Sequence, residues 1–466
     1  MLFSSSTFLF LFLPLVCAIY LFVRQELRNY VLLVTSLIFY GWGEPRYLAI
    51  MLLTIITNYV AAIAIARYRN YAKWILLLAI LADLGVLFYF KYFNFVVENV
   101  NAAFDCEFSF LKVIMPIGIS FYTFQALSYL VDVYRKEVEA QRDIYKLALY
   151  ITLFPQLVAG PIVKYHDVRN EIENREVTFD KVAYGVKRFI IGLSKKMLLA
   201  NVFGAIADKI FNQPVESFDA ATAWVGAIAY SLQLYFDFSG YSDMAIGLGA
   251  VFGFKFLENF NYPYISRSIT EFWRRWHISL STWFKEYLYI PLGGNRLSLH
   301  RTYINLFIVF LATGIWHGAS WNFIVWGLWH GLFIILERMS GWHKKEGGWL
   351  LNTVKHVYTI LIFVIGWVMF RAETMGYAWG YLRNMFGCLS EHRTRYDWGY
   401  YVGAMELLAF AVAVLCAVPL FRGILTLSPR YKKCYSLVNI WLIILFIASA
   451  ASVAASTYNP FIYFRF

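Results

Sequence analysis

Residues 74–93 read WILLLAILADLGVLFYFKYF, a run of twenty residues whose only charged side chains are Asp83 and Lys91. A helix of about 20 mainly apolar residues is long enough to cross the hydrocarbon core of a bilayer. Residues 48–66, LAIMLLTIITNYVAAIAIA, contain no charged side chain and predict a second crossing of the same kind. The two runs indicate a helical protein that has lipid as its solvent.

The composition of the whole chain supports this interpretation. Of its 466 residues, 60% are hydrophobic and only 15% are charged, whereas about a quarter of an ordinary soluble domain is charged. A soluble fold could not bury so much apolar surface. Aromatic residues make up 20% of the chain, and many membrane crossings would account for part of that excess, because Tyr and Trp favour the membrane interface.

Further apolar runs predict an all-α, polytopic protein with about 11 to 13 spans. Runs shorter than a full span are expected to be tilted, re-entrant or buried in protein. No linker or low-complexity tract divides the chain, so residues 1–466 are expected to form a single domain. These further runs lie near 7–23, 30–42, 145–163, 220–236, 241–257, 302–316, 320–336, 353–370, 402–421 and 436–455.

The formal net charge of +12 comes mainly from basic residues at the ends of apolar runs. The loops RQELR (24–28) and RYRNYAK (67–73) are basic, which predicts that both lie in the cytoplasm and that the N-terminus lies outside. We therefore expect no nucleic-acid partner, although a basic face could also hold an anionic phosphate donor. The five cysteines show no spacing typical of a zinc site or a disulfide framework.

Residues 264–301 form an amphipathic stretch, YISRSITEFWRRWHISLSTWFKEYLYIPLGGNRLSLHR. Basic residues alternate with Trp and Tyr along it, which is typical of a helix that lies in the membrane interface without crossing it. We expect Ser268 or Thr270 to cap the start of this helix. Pro291 and the glycine pair that follows are expected to end it.

Arg274, Arg275 and Trp276 directly precede His277 in this stretch. Guanidinium groups bind phosphate well, so Arg274 and Arg275 are candidates for holding an anionic donor, with Trp276 beside them. Two interpretations of His277 stay open. It orients the phosphate or thioester of the donor, or it is an interface residue with no chemical role.

His317 lies in TGIWHGASWN, residues 313–322, where one apolar run ends and the next begins. An ionisable group in apolar, aromatic surroundings at membrane depth is costly and suggests a function. A neutral imidazole there could take a proton from a hydroxyl group near neutral pH. The alternative is a histidine that only hydrogen-bonds a neighbouring helix.

His330 follows His317 by thirteen residues. On one unbroken helix that offset turns about 220° and climbs about 20 Å, so we expect no shared metal site of the kind formed by two histidines on one helix face. For His330 we favour a packing or interhelical hydrogen-bond role. Asp237 lies between Phe236 and Phe238, where it could orient a histidine, bind a hydroxyl group or mark a helix break.

Several stretches together resemble the membrane-bound O-acyltransferase family, and within it the bacterial branch typified by the alginate O-acetylation membrane subunit. The match runs nearly from end to end, with no departure at the motif positions. The stretches that carry it are 116–135, 154–161, 231–256, 269–294, the Trp-His-Gly segment 316–318 and the C-terminal 459–466.

That resemblance implies helices arranged around a central tunnel in the bacterial inner membrane. It also implies that acetyl from cytoplasmic acetyl-CoA passes outward, often to a separate SGNH-hydrolase-like protein that acetylates a polysaccharide. No metal and no bound cofactor is implied. The catalytic histidine of the family corresponds to His317 and its second polar position to His277. The expected substrate contacts are completed by Trp316, Asn322, Asp237 and His330, while Trp321 and Trp329 would help to exclude water.

Three alternatives remain at this stage. The intramembrane Asp and His residues could form the proton relay of a transporter or flippase for a lipid-linked glycan. The chain could be a silent scaffold, or it could transfer D-alanine to teichoic acid. Within acetyl transfer, His317 could act as general base or carry the acetyl group itself. Alginate, peptidoglycan and other exopolysaccharides are all compatible acceptors.

Overall fold

The computed structural model describes residues 1–388, 396–421, 435–455 and 458–460. These residues form helices joined by turns, without a strand among them, so the predicted all-α class is confirmed. The C-terminal motif residues 461–466 lie outside the described residues.

The first eleven α-helices, in chain order, are α1 Leu13–Phe22, α2 Arg28–Gly43, α3 Leu48–Arg67, α4 Ala72–Leu87, α5 Phe93–Phe104, α6 Ile119–Arg135, α7 Ile144–Thr152, α8 Phe154–Leu157, α9 Tyr165–Glu173, α10 Phe179–Ser194 and α11 Asn201–Phe211. The remaining ten are α12 Ala220–Val251, α13 Ile269–Arg275, α14 Ile278–Phe284, α15 Leu299–His317, α16 Trp321–Ser340, α17 Trp349–Arg371, α18 Met375–Met385, α19 Trp398–Tyr401, α20 Ala404–Cys416 and α21 Tyr435–Ala455.

Six helices among the described residues are long and apolar enough to cross a membrane, and two shorter apolar helices accompany them. Length and composition therefore support a multi-pass membrane protein, while the count of about 11 to 13 spans stays a prediction. The long helices are Leu48–Arg67, Arg69–Phe104, Phe179–Phe211, Trp321–Ser340, Trp349–Arg371 and Ser436–Ala455. Of these, Arg69–Phe104 contains α4 and α5, and Phe179–Phe211 contains α10 and α11.

The chain divides into two compact units. The first comprises Met1–Phe189 and Tyr241–Leu257, and the second comprises Ile190–Gly240 and Glu258–Phe466. The single-domain assignment stays a prediction. All three singled-out histidines belong to the second unit.

In the second unit, α15 and α16 form a hairpin whose helices touch backbone to backbone. A Cβ atom added at Gly314 would lie 2.5 Å from the carbonyl oxygen of Phe323, and one at Gly327 would lie 2.4 Å from that of Phe310. Neither position has room for a side chain. His317 is the last residue of α15 and lies next to the turn of this hairpin.

The prediction of one continuous helix within 264–301, capped at Ser268 or Thr270 and ended at Pro291, is wrong. The segment contains α13 and α14, separated at Trp276–His277, and its last residues begin α15. His277 has a left-handed backbone with φ 43° and ψ 56°, a conformation that a right-handed helix cannot include. Ser268 caps α13 as expected, since its Oγ accepts a hydrogen bond from the Glu271 N–H at 3.0 Å.

Candidate active site

His317 lies inside an aromatic enclosure at the end of α15. Its side chain is nearly buried, since 8% of the residue is exposed. The imidazole lies edge-to-face with the Trp326 ring at 4.8 Å between centroids and with the Phe370 ring at 5.3 Å. The ring of the preceding Trp316 lies 4.9 Å away. Apolar rings therefore surround the group that the sequence singled out as catalytic.

His277 is completely buried in the protein. Its Nδ1 lies 3.2 Å from Oδ1 of Asn259. The same oxygen accepts hydrogen bonds from the backbone N–H of Ser279 at 3.2 Å and from the Ser279 hydroxyl at 2.9 Å. Because a backbone N–H can only donate, this atom of Asn259 is the amide oxygen, and the proton of the His277 imidazole is therefore on Nδ1.

Burial lowers the pKa of His277 to about 3, because removing the ring from water disfavours the charged imidazolium. The ring is therefore neutral near pH 7. With the proton on Nδ1, the lone pair is on Nε2. In this state His277 can accept a proton or a hydrogen bond at Nε2.

Trp316 neighbours both catalytic candidates. Its ring centroid lies 6.2 Å from that of His277 and 4.9 Å from that of His317. The Phe238 ring packs edge-to-face with the His277 ring, at 4.6 Å between centroids. The structure thus brings together two histidines that are forty residues apart in the sequence, with one indole as their common neighbour.

His330 is completely buried on α16. Its ring packs against Trp273 and Trp326, each at 5.3 Å between centroids. Neither ring nitrogen has a hydrogen-bond partner among the described residues, so the interhelical hydrogen bond is not formed and the packing role is the one observed. His317 and His330 lie on different helices, and Trp326 contacts both rings.

Glu337 on α16 fixes the start of α13. It is 1% exposed, and its carboxylate oxygens accept hydrogen bonds from the Ile269 N–H at 2.6 Å, the Thr270 N–H at 2.9 Å and the Thr270 hydroxyl at 2.7 Å. A carboxylate at a helix N-terminus satisfies unpaired backbone donors and complements the helix dipole. Glu337 thereby ties the helix that leads to His277 to the helix that carries His330.

Sequence reasoning missed both Asn259 and Glu337. Asn259 caps α14 from eighteen residues earlier in the chain, where its backbone oxygen also accepts the Ile278 N–H at 2.9 Å. Nothing local to His277 indicates that contact. Glu337 had a usable signal, because an acid at the end of the apolar run 320–336 is rare in a membrane segment and marks a partner or a function.

The three residues predicted to contact the donor differ in their exposure and in the partners that they already have. Arg274 is exposed. Arg275 forms an ion pair with Glu271 at 2.8 Å and donates to the backbone oxygen of Asn261 at 3.1 Å. Trp276 is buried, with its ring 4.9 Å from that of Trp367. Of the three, Arg274 has an exposed guanidinium to offer a phosphate.

Asp237 forms a buried ion pair with Lys196, whose Nζ lies 2.8 Å from Oδ1. Lys196 also donates to the backbone oxygen of Pro460. The helix α12 continues through this position, so a helix break at Asp237 is wrong. Asp237 is linked to the site through its neighbour Phe238, which contacts His277.

The remaining residues predicted to contact the substrate or to exclude water differ in their surroundings. Asn322 donates from Nδ2 to the backbone oxygen of Ala372 at 2.6 Å, and so ties α16 to the end of α17. Trp329 donates from Nε1 to the backbone oxygen of Ile362 at 3.0 Å. Trp321 is 54% exposed, so the expectation that it walls the site is wrong.

None of the three site histidines belongs to a group of metal-ligand type within the described part of the chain. The group that does exist lies in the first unit and combines Asp132, Glu137 and His166. Hydrogen bonds to Asp132 at 3.1 Å and to Asp167 at 3.2 Å occupy the two ring nitrogens of His166 and raise its pKa to about 10. These contacts indicate that His166 is protonated and lies between two carboxylates.

Comparison with known proteins gives one family match and several similar proteins. Residues 36–372 match the family described as MBOAT, membrane-bound O-acyltransferase. The chain is 41% identical to the probable alginate O-acetylase AlgI of Pseudomonas putida, with 100% of both chains covered. It is 35% identical to the peptidoglycan O-acetyltransferase of Helicobacter pylori, over 83% of this chain and 80% of the relative. It is 29% identical to the teichoic acid D-alanyltransferase of Bacillus subtilis, over 50% and 62%.

Proposed function

Because the chain belongs to the MBOAT, membrane-bound O-acyltransferase family, we propose that it transfers acetyl from cytoplasmic acetyl-CoA towards a polysaccharide outside the bacterial cytoplasmic membrane. The observation that carries this proposal is the placement of His317 and His277 beside one indole, Trp316. In this enclosed site, the neutral His277 can orient a hydroxyl group and His317 can accept its proton, which suits acyl transfer to a hydroxyl group.

In the proposed reaction, the hydroxyl oxygen of the acceptor attacks the carbonyl carbon of the thioester, and the carbon–sulfur bond breaks. His317 takes the hydroxyl proton and returns it to the departing thiolate, so the products are an acetyl ester and free CoA. In a second version the acetyl group first bonds to His317 and then moves to the acceptor. Both versions give the same products.

The role proposed for His277 follows from its protonation state. Asn259 accepts its Nδ1–H, so Nε2 is the acceptor atom of the ring, and in this proposal it receives a hydrogen bond from the hydroxyl group of the acceptor. A histidine held in one tautomer by a second residue is a better positioned base than a freely rotating one. His277 therefore orients the acceptor while His317 moves the proton.

The aromatic enclosure has a chemical purpose in this proposal. Water competes with the acceptor for a thioester, and a site that excludes water suppresses that hydrolysis. Trp326 and Phe370 cover the His317 ring edge-to-face. Arg274, the exposed cation of α13, is the group we assign to the donor phosphates.

The acetyl group and the polysaccharide class rest on the relatives. Acetyl is favoured over D-alanine because the two acetylating relatives match 100% and 83% of this chain, whereas the D-alanyltransferase matches 50%. An SGNH-hydrolase-like protein outside the membrane is the proposed partner that completes the transfer. Alginate and peptidoglycan are the two acceptors that the relatives suggest.

The test replaces His317 with Ala in the full chain. We expect acetylation of the cell-envelope polysaccharide to fall by about 10²–10⁴-fold, the usual contribution of a general acid–base group. His300→Ala, an exposed histidine outside the site, is the matched control and should leave acetylation unchanged. Undiminished acetylation by His317→Ala protein at normal membrane levels contradicts the proposal.

A second measurement separates an enzyme from a transporter. Protein in liposomes is given acetyl-CoA labelled in the acetyl group, together with a soluble polysaccharide acceptor and the SGNH-hydrolase-like partner on the opposite side. Release of free CoA coupled to labelled ester is expected. Movement of unmodified glycan without CoA release would replace acetyl transfer by transport. Mass spectrometry of the ester distinguishes acetyl from D-alanyl.

A further inference from the structure

A buried polar pair lies in the first unit. Asn58 on α3 is completely buried and Asp83 on α4 is 5% exposed. Nδ2 of Asn58 donates to Oδ1 of Asp83 at 3.0 Å and to the backbone oxygen of Thr54 at 2.9 Å. Asn58 is near the middle of a 20-residue candidate span, about 15 Å from either end of it.

Asp83 differs from other buried aspartates in its partners. Asp237 pairs with Lys196 at 2.8 Å, and Asp243 pairs with Arg188 at 2.6 Å. No cationic group lies within 4.0 Å of Asp83 in the part of the chain that the structure describes. An unpaired carboxylate at this depth would be strongly destabilising, because burial disfavours the charged form. The positive charge that the pair needs is therefore supplied by something other than a side chain.

Two oxygen atoms show where that charge belongs. Oδ2 of Asp83 and Oδ1 of Asn58 are both buried and have no hydrogen-bond donor among the described residues. Both are acceptors, and a buried acceptor without a donor has lost its hydrogen bonds to water without gaining others in the protein. A single proton on Oδ2 would neutralise the carboxylate and provide the missing donor. Acid and amide would then be joined by two hydrogen bonds, one in each direction.

We propose that Asn58 and Asp83 form a proton-binding site at membrane depth, in which Asp83 is held as the neutral acid and its Oδ2–H is shared with Oδ1 of Asn58. Tyr122 on α6 interacts electrostatically with Asp83. Its hydroxyl group is uncharged at neutral pH, so it does not supply the positive charge that would neutralise the carboxylate. The bound proton joins α3 to α4 through two hydrogen bonds in place of one. The site is independent of acyl transfer, whose proton passes through His317.

Infrared spectroscopy of the full-length protein in lipid nanodiscs near pH 7 tests the site. In the difference between the wild type and Asp83→Asn, we expect loss of a protonated-carboxyl C=O band that shifts in D₂O. Loss of ionised-carboxylate bands instead overturns the proposal. Asn58→Ala removes the shared acceptor, so the C=O band should persist at higher frequency. An unmoved band would contradict the shared hydrogen bond.

Function and accumulation give a second, independent readout. Asp83→Asn places an N–H where the proton was, so we expect normal membrane levels and wild-type acetylation. Failure of Asp83→Asn to accumulate, or loss of its acetylation, shows that the ionised form is needed and overturns the proposal. A monovalent cation in the same place is the remaining alternative. It would be revealed by carboxylate bands together with a melting temperature that rises on replacing choline by sodium.

Discussion

Oδ1 of Asn259 lies 3.2 Å from Nδ1 of His277, and the same oxygen caps the first turn of α14. One amide thus sets both the tautomer of a catalytic candidate and the backbone that carries it. Replacing Asn259 with Ala removes both contacts. We expect the kcat of acetyl transfer to fall by about tenfold or more, since misplacing a group that orients the reacting hydroxyl can cost about 10²-fold, while the KM for acetyl-CoA changes little. An unchanged kcat would show that His277 does not act in the reaction.

Asn259→Asp gives a prediction for pH dependence. In the wild type, burial keeps the pKa of His277 at about 3, so its titration should not affect activity between about pH 5 and 8. A carboxylate at position 259 favours the imidazolium and raises that pKa. Activity should then fall on the acidic side of the profile, where the ring becomes protonated, and recover as pH rises. A profile identical to that of the wild type contradicts a neutral His277 as the working form.

Glu337→Gln should weaken the attachment of α13. One carboxylate oxygen becomes an NH₂ group that faces a backbone N–H, so a buried donor loses its acceptor, at a cost of about 1–3 kcal/mol. We expect a lower melting temperature and a higher KM for acetyl-CoA, because Arg274 is on the helix that Glu337 anchors. Glu346→Gln, an exposed glutamate in the following turn, is the matched control and should leave both quantities unchanged.

The ion pair between Lys196 and Asp237 should show strong coupling. Breaking a buried pair by removing one partner costs about 3–5 kcal/mol, because the other charge stays buried. Lys196→Met and Asp237→Asn should each lower protein accumulation strongly. The double variant should be milder than the sum of the two single effects. Additive losses across this set would mean that the two side chains are not energetically coupled.

Gly314→Ala and Gly327→Ala should each disrupt the α15–α16 hairpin, since each new methyl group would overlap a backbone oxygen of the partner helix. We expect a clear loss of thermal stability and of acetylation. The control is Gly85→Ala, a helical glycine with open space around its Cβ position. That change should be neutral or slightly stabilising, because Ala favours helix over Gly by about 1 kcal/mol.

The helical membrane class and the buried, aromatic surroundings of His317 could be predicted from sequence because their signals are local. Apolar runs define helices directly, and the stretches around 231–256 and 316–318 gave a family resemblance that the comparisons confirm. The break at His277 could not be predicted in this way. The residues at the break contact the distant Asn259, and a basic, Trp-rich pattern is equally compatible with one helix or with two.

The roles of the polar side chains depended on contacts that pattern alone cannot give. Asp237 has the same flanking residues whether it breaks a helix, orients a histidine or pairs with Lys196, and only the tertiary structure selects the ion pair. Arg275 was equivalent to Arg274 in the sequence. The structure distinguishes them, because Glu271 occupies one and leaves the other exposed.

The backbone contact between α15 and α16 also bears on how the protein should lose activity when heated. Side chains in a core loosen gradually, but two helices that meet at Gly314 and Gly327 have no flexible groups between them to absorb motion. The distance from His317 to Trp326 should stay fixed until the hairpin opens as a whole. Inactivation on heating should therefore be abrupt, coinciding with the cooperative unfolding of this hairpin and not with a gradual softening of the aromatic enclosure.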